Sequence, residues 1–445
     1  MARSQRVVAV GAGAGNGAGL SASRLAGIVL LLAACAPAAH ADDGDPQRFS
    51  LSGFGTLGAV HSSEHQADFT GLIAQPNGAG ASHDWDWAPD SKLGLQLDMR
   101  LGERVSAVVQ LVAQHQSDND YAPRLEWANL RFQLTNDLSA RIGRIALPLF
   151  MVSESRLVGY ANTWLRPPLE VYNTGPITSN DGVDVSWRGD CRGFAATVQA
   201  LAGHIRQQFP GGIAVDGRRI LGVNATVEHE HTTLHLAYTS ADFSADSAAL
   251  DQLFDGYLQI GEALSAVPAL APAGAATLAF ASAYRPVDKD YASVDVGFTH
   301  DPGAWFATGE WVHEHIGSSL QDSRSAYLTL GVRWRALTPY VTWAGVTDLP
   351  REHATLPPVQ LPAPFGPALA ALNEGIGDAL AGYWGSEHSW SLGVRYDLTK
   401  SADLKLQLDH LSEGADSSGF LINAQPGYRR GGTVNVVGLA VDFVF

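Results

Sequence analysis

The chain has 445 residues, 47 of them glycine and only 2 cysteine, with a formal charge of −16. So acidic a chain is a poor partner for nucleic acid, whose phosphates demand Lys and Arg. No stretch approaches the run of about 20 apolar residues that a membrane-crossing helix needs.

The first predicted element is an export signal. Arg3, Arg6 and Arg24 carry positive charge, residues 25–34 form an apolar run, and Ala39-His40-Ala41 offers a small-x-small cleavage site before Asp42. A competing reading sits inside it, because Leu32-Ala33-Ala34-Cys35 resembles a bacterial lipobox that would leave Cys35 lipidated. Removal of residues 1–41 takes away three arginines and no acids, leaving 26 basic and 45 acidic residues, a balance of −19. Cys191 then stands alone, which excludes an intramolecular disulfide. Residues 42–445 show no linker and no shift in composition, so they read as one domain.

From residue 48 onward the dominant signal is alternation. In SKLGLQLDMRL, Leu93, Leu95, Leu97, Met99 and Leu101 fall on one side, and Lys92, Gly94, Gln96, Asp98 and Arg100 on the other. Period two over about ten residues is the pattern of a strand with one apolar face. Such runs occur at 48–60, 91–101, 104–114, 125–134, 138–147, 181–188, 193–202, 219–228, 232–241, 290–299, 304–312, 325–335, 337–345, 388–398, 402–410 and 433–445, which makes sixteen predicted strands. Tight turns alternate with long connections at 61–90, 115–124, 148–180, 203–218, 242–289, 313–324, 346–387 and 411–432. Two of the long connections contain predicted helices, at 250–266 and 368–381.

Strict alternation of short and long connections describes up-and-down strands whose two ends meet different surroundings. The faces agree. The inward set holds Lys92, Arg100, Arg131, Arg141, Arg188, Arg333, Arg395 and Lys405 against Asp98, Asp184, Glu228, Asp295, Glu310, Asp397, Asp409 and Asp442. The outward set is aliphatic, with Trp187, Trp305, Trp311, Trp334, Trp343, Trp390 and Tyr396. A charged inside and an oily outside fit an all-β, closed, antiparallel transmembrane barrel, since a bilayer admits a sheet only if it has no open edge. About sixteen strands enclose an aqueous lumen, whereas eight would be filled by side chains.

Residues 148–180 are about thirty residues of Pro, Gly, Asn and paired polar groups with no usable strand. A connection of that length without structure of its own is usually functional. Its apolar residues, Leu149, Phe150, Met151, Leu157, Val158, Tyr160, Trp164 and Leu165, would be costly in water, so the loop is expected to fold into the lumen. The final run, TVNVVGLAVDFVF, ends on Phe445 and resembles the terminal signal by which the barrel-assembly machinery recognises its clients.

Together FSLSGFGTLGAVHSS, SKLGLQLDMRL, LEWANLRFQLTNDLSARIGRIALP, YANTWLRPPLEVY, DGVDVSW and the Phe terminus resemble the Gram-negative porin family, that of sixteen-stranded trimeric diffusion porins and their substrate-preferring relatives. The resemblance implies an outer-membrane homotrimer passing small hydrophilic solutes, with a folded-in third external loop facing arginines on the opposite wall. Arg100, Arg131 and Arg141 match that ladder, while the loop lacks the acid-dense PEFGG-type core of general porins, which argues against strong cation selectivity.

The constriction is expected to combine Arg141 and Arg144 from the strand entering the loop with Arg156 and Arg166 on it, answered by Glu154, Glu170 and Asp181. These charges read equally as an electrostatic filter with mild anion preference and as pins holding the loop to the wall. His229-x-His231 and His313-x-His315 fall short of the four ligands of a structural zinc site, and no cofactor is expected. The acidic outer loops are candidates for Ca2+ alongside lipopolysaccharide. A barrel enzyme would need a nucleophile constellation, and no G-x-S-x-G is present. A structural or adhesive barrel would share every feature except an open lumen.

Overall fold

Sixteen long strands follow one another around a closed ring: β1 (Phe49–Ser62), β2 (Lys92–Arg100), β3 (Val105–Gln114), β4 (Arg124–Gln133), β5 (Leu138–Ala146), β6 (Ser179–Cys191), β7 (Phe194–Phe209), β8 (Ile213–His229), β9 (Thr232–Asp246), β10 (Lys289–His300), β11 (Trp305–Ile316), β12 (Asp322–Val332), β13 (Leu337–Leu349), β14 (Glu387–Thr399), β15 (Ala402–Glu413) and β16 (Thr433–Val444). The computed structural model describes residues 48–317, 322–349, 357–381, 385–415 and 417–445. The export signal, Cys35 and the cleavage site after Ala41 lie outside the described residues.

Each strand pairs antiparallel with its sequence neighbours, and β1 closes the ring on β16 in the register Phe54↔Val444 through Ser62↔Val436. Closure leaves no barrel edge to strand its N–H and C=O groups in hydrocarbon. The sixteen predicted strands are all present. A short strand, Trp85–Asp86, also folds back onto β1.

The outer surface is oily. Leu51, Leu236 and Leu392 are 66%, 53% and 60% exposed, which only a lipid environment rewards. Trp187, Phe194, Trp305, Trp334 and Tyr396 are exposed near the short-turn ends. Trp311, Trp343 and Trp390 are exposed further toward the long-loop ends, with Trp343 directly opposite Trp390. Aromatic rings at two heights form the girdles of a membrane barrel.

Two expected long connections are shorter than read at the long-loop end: in place of 313–324, β11 runs on to Ile316 and β12 starts at Asp322. Residues 203–218 do not form a long connection, because β7 and β8 run on as a hairpin closed by Pro210–Gly212. The ladder shifts register between Gly203 and Ile205 and again between Arg218 and Leu221. Both shifts belong to one bulge in β8 at Arg219 (φ 49°), which flips the faces of that strand. β7 keeps its parity, but beyond Gly203 its apolar residues Ile205 and Phe209 face inward and His204, Arg206 and Gln208 face out, so the lipid-facing period-two signal stops although the strand does not. The predicted helices appear as α1 (Ala248–Ser265) and α3 (Phe365–Ala381), joined by an unpredicted α2 (Ala271–Tyr284) that is rich in alanine and carries Pro272 in its first turn. Phe254, Tyr257, Leu264, Phe280, Leu369 and Ile376 form a core shared by the three, and the Tyr257 hydroxyl donates to Asn373 at 2.9 Å. This cap therefore ties the β9–β10 connection to the β13–β14 connection.

Candidate functional site

The connection from β5 to β6 spans residues 147–178 and folds into the lumen. Pro148, Pro167, Pro168 and Pro176 remove the donors a ladder needs, which keeps this segment from continuing the sheet. Its apolar side chains, Leu149, Phe150, Trp164, Val171 and Tyr172, pack on Leu201, Ile220, Phe306, Val312, Tyr327 and Tyr340 of the barrel wall. The lumen is thus not wet throughout: this side holds a hydrocarbon core that seats the loop.

Polar contacts fasten the loop along the same wall. The Met151 amide donates to Glu310 Oε1 at 2.6 Å and the Tyr172 hydroxyl to Glu310 Oε2 at 2.8 Å. Trp164 Nε1 donates to Thr329 at 2.8 Å. Arg166 donates to both oxygens of Asp90, at 2.9 and 2.7 Å, and to Asp409 at 2.9 Å. Burial alone would lower the Arg166 pKa, but the two carboxylates raise it and hold the guanidinium charged.

At the loop tip, Lys405 Nζ donates to the carbonyls of Gly159 and Asn162, both at 2.7 Å, and pairs with Asp442 at 2.9 Å. Arg395 donates to the carbonyls of Tyr160 and Asn162 at 2.7 and 3.1 Å and stacks on the Tyr160 ring. Lys405, Asp442 and Asp403 have no solvent exposure, so each depends on these partners for the solvation it has lost. Gly159 presses against the wall so closely that a methyl group there would run into Asp442 Oδ1 and Thr56 Oγ1, which are hydrogen-bonded to each other. Gly159→Ala should therefore cost about 1–3 kcal/mol by overpacking, seen as a lower temperature for loss of the heat-resistant folded band; an unchanged midpoint would show that the tip has slack.

The loop charges act as pins. Arg156 is buried and donates to the carbonyls of Gly175 (2.9 Å) and Tyr172, closing the loop on itself, and burial lowers its pKa to about 10. Glu170 is 2% exposed. Its pKa is pushed from 4.5 to about 7, chiefly by lost hydration and also by Asp409, against a hydrogen bond from Ser389. A released loop would titrate near 4.5, so between 4.5 and about 7 it holds fewer protons than the seated loop. Seating is then strongest below 4.5, weakens as pH rises through that window, and is constant above about 7. Open-channel noise should accordingly increase between about pH 4.5 and about pH 7, and Glu170→Gln should flatten that component; equal slopes in both proteins would exclude Glu170 as the source.

The opposite wall keeps its polar lining. Arg100 on β2 pairs in register with Ser106 on β3, Ser106 with Arg131 on β4, Arg131 with Arg141 on β5, and Arg141 with Asp184 on β6. The three arginines therefore stand in one row around the inner wall. Arg141 is neutralised twice, by Asp184 at 2.7 Å and by Glu154 of the loop at 3.3 Å. Arg131 makes a hydrogen bond to Ser139 Oγ and, among the described residues, neither it nor Arg100 has a carboxylate partner. Glu154 is the loop acid that projects into the opening, with its side chain 58% exposed.

Four of the eight candidates do not stand at the constriction. Arg144 is not at the constriction: it lies three residues beyond Arg141, an odd spacing that puts it on the outward face with exposed Ile142, and it forms a bidentate pair with Asp181 at 2.8 and 2.6 Å. Arg156 and Arg166 are too deeply buried to meet a passing ion. Of the eight candidates, Arg100, Arg131, Arg141 and Glu154 border the opening, Arg156, Arg166 and Glu170 hold the loop, and Arg144 faces outward. Lys405, Arg395 and Glu310, expected only as inward charges, and Gly159 prove to be positions that hold the loop. The usable hint was Lys405, a cation facing inward among leucines. The histidine pairs have other partners: His229 stacks on Phe194, His313 Nδ1 lies 3.1 Å from the Ser323 carbonyl, and His315 pairs with Asp322. Among the described residues no group of three His, Cys, Asp or Glu converges as for a metal.

A ring of sixteen antiparallel strands, an oily exterior and a pinned lumen loop opposite an arginine row coincide with a sequence match: the Gram-negative porin profile aligns with residues 28–416. The chain belongs to the Gram-negative porin family. No curated protein matches it. Among solved structures, the porin resembles the outer membrane channel DcaP of Acinetobacter baumannii, with 13% identity over 89% of this chain and 97% of that one and a TM-score of 0.52. It also resembles the anion-selective porin of Comamonas acidovorans, at 13% identity, 89% and 99% coverage and a TM-score of 0.50, and OmpT of Vibrio cholerae, at 8% identity, 91% and 100% coverage and a TM-score of 0.50. At such identities these likenesses speak for the fold. As a member of its family the porin is an outer-membrane barrel that forms a water-filled channel for passive diffusion of small hydrophilic solutes.

Proposed function

We propose that this porin favours small anions modestly and performs no catalysis. The observation that carries the preference is the row Arg100–Ser106–Arg131–Arg141, in which the loop answers only Arg141. Arg100 and Arg131 have no carboxylate partner among the described residues, and a passing anion supplies the countercharge they lack. The chain's overall charge of −16 does not oppose this. Charges beyond about 8 Å are largely screened at physiological ionic strength, so the local guanidiniums decide. The Comamonas acidovorans porin, whose fold this barrel shares, is anion-selective.

The test is reconstitution in planar bilayers with a KCl gradient. Stepwise conductance with a reversal potential displaced toward the chloride side supports the reading. Steps with a potassium-favouring potential would refute the preference, and no conductance at all would favour a structural barrel. Lipase and protease assays on the purified protein should show no turnover. A homotrimer is proposed from family membership, and crosslinking of the folded protein in mild detergent should give a trimer band.

A further inference from the structure

We propose that this porin has a second binding site, separate from the ion path, for an uncharged ring the size of a monocyclic arene. The site is a cavity of about 140 Å³ inside the long-loop half of the barrel. Its walls are Ile205, Phe209, Ile213 and Val215 of the extended β7–β8 hairpin and Leu147 and Ile177 at the two roots of the folded-in loop. Ile73 from the β1–β2 connection, Ala241 and Phe243 of β9 and Leu250 of α1 also line it.

Three observations favour an apolar occupant over water or a hydrophilic solute. First, the lining is hydrocarbon apart from three hydroxyls, of which two are already engaged: that of Tyr291 donates to Glu314 at 2.8 Å, and Thr174 Oγ1 to the Val171 carbonyl at 2.7 Å, leaving that of Thr239. A water needs two to four polar partners, and these walls do not provide them. Second, the volume suits one ring, since an apolar cavity of about 150 Å³ takes up benzene. Third, the lining continues into the hydrocarbon core that seats the loop, through Leu147, Leu149 and Ile220. Tight backing of that kind keeps the cavity from collapsing. The bulge in β8 helps to produce the site, because it turns Ile213 and Val215 to the inner face that Ile205 and Phe209 of β7 already occupy, on a hairpin that continues beyond the register shift.

The porin in lipid nanodiscs, with isoleucine methyls labelled, is titrated with fluorobenzene. Saturable shifts concentrated at Ile205, Ile213 and Ile220 are expected, while outward-facing Ile142 shows only the linear drift of a ring dissolved in lipid. Ala241→Phe, which places a phenyl group in the cavity from β9, should abolish the saturable shifts, whereas Leu236→Phe on the lipid face should preserve them. Absence of saturable shifts in the unaltered protein overturns the proposal, as does their persistence in folded Ala241→Phe. If that variant does not fold, competition of toluene for the same methyl shifts decides: displacement supports the site, and simple addition of the two effects overturns it.

Discussion

Replacement of Lys405 by methionine is expected to release the tip of the lumen loop, raise single-channel conductance and make the open state noisy. The ammonium is the shared partner of two loop carbonyls and of Asp442, and none of the group has access to water. Removing one member of a buried ion pair costs about 3–5 kcal/mol, because the other charge is left uncompensated. Here the penalty falls on Asp442 and its neighbour Asp403, and the structure can relieve it by admitting water between wall and loop. The remaining anchors at Met151, Trp164 and Arg166 keep the rest of the segment seated, so the change is confined to residues around the 159–161 turn. Glu154→Ala is the control: it alters the exposed face of the loop and should change selectivity without adding noise. Quiet channels of ordinary conductance from the Lys405→Met protein would mean that the tip is held by packing alone.

Arg131→Glu should invert the charge preference. The substitution removes a positive charge from the row and installs a negative one between Arg100 and Arg141. A unit charge about 6 Å from an ion contributes about 0.7 kcal/mol even in the dielectric of water, so a two-charge change is worth about 1.4 kcal/mol, or about tenfold in local anion concentration. In a KCl gradient the reversal potential should cross zero, and the effect should shrink as salt is raised. Arg144→Glu, with the same formal change on the outer face, should leave the potential where it was. Equal shifts from the two variants would mean that position on the wall is irrelevant and that the row does not act as a filter.

Most of the barrel was readable because its environment writes a period of two into every strand, and lipid on one side and water on the other enforce it. The reading failed where that enforcement lapses. Beyond Gly203 β7 sets apolar Ile205 and Phe209 inward and Arg206 and Gln208 outward, and a bulge flips the faces of β8, so the lipid-facing pattern ends while the hydrogen-bond ladder continues. The lumen loop was recognisable from its length and prolines, but the roles of its charges were not. Arg166 meets Asp90 and Asp409 across separations of 76 and 243 residues, a meeting that only ring closure brings about. Arg144 is a different case. Its odd spacing from Arg141 already placed it on the lipid side, so strict attention to strand parity would have removed it from the constriction. The cavity lining left no mark in the sequence, since Ile213 and Val215 look like ordinary strand residues until the register shift in β8 assigns their direction.

The cations that hold the loop tip grip main-chain oxygens, and this has an evolutionary consequence. A carbonyl is present whatever amino acid carries it, so Ala161 and Asn162 can be exchanged by mutation without removing the acceptors of Lys405 and Arg395, whereas Tyr160 also holds Arg395 through its ring. Only Gly159 is barred from change by lack of room. Glu154 and Ala161, the loop residues most open to the passage, are thus free to drift. A lineage could adapt its permeability to a new nutrient one codon at a time, with the scaffold indifferent to the outcome.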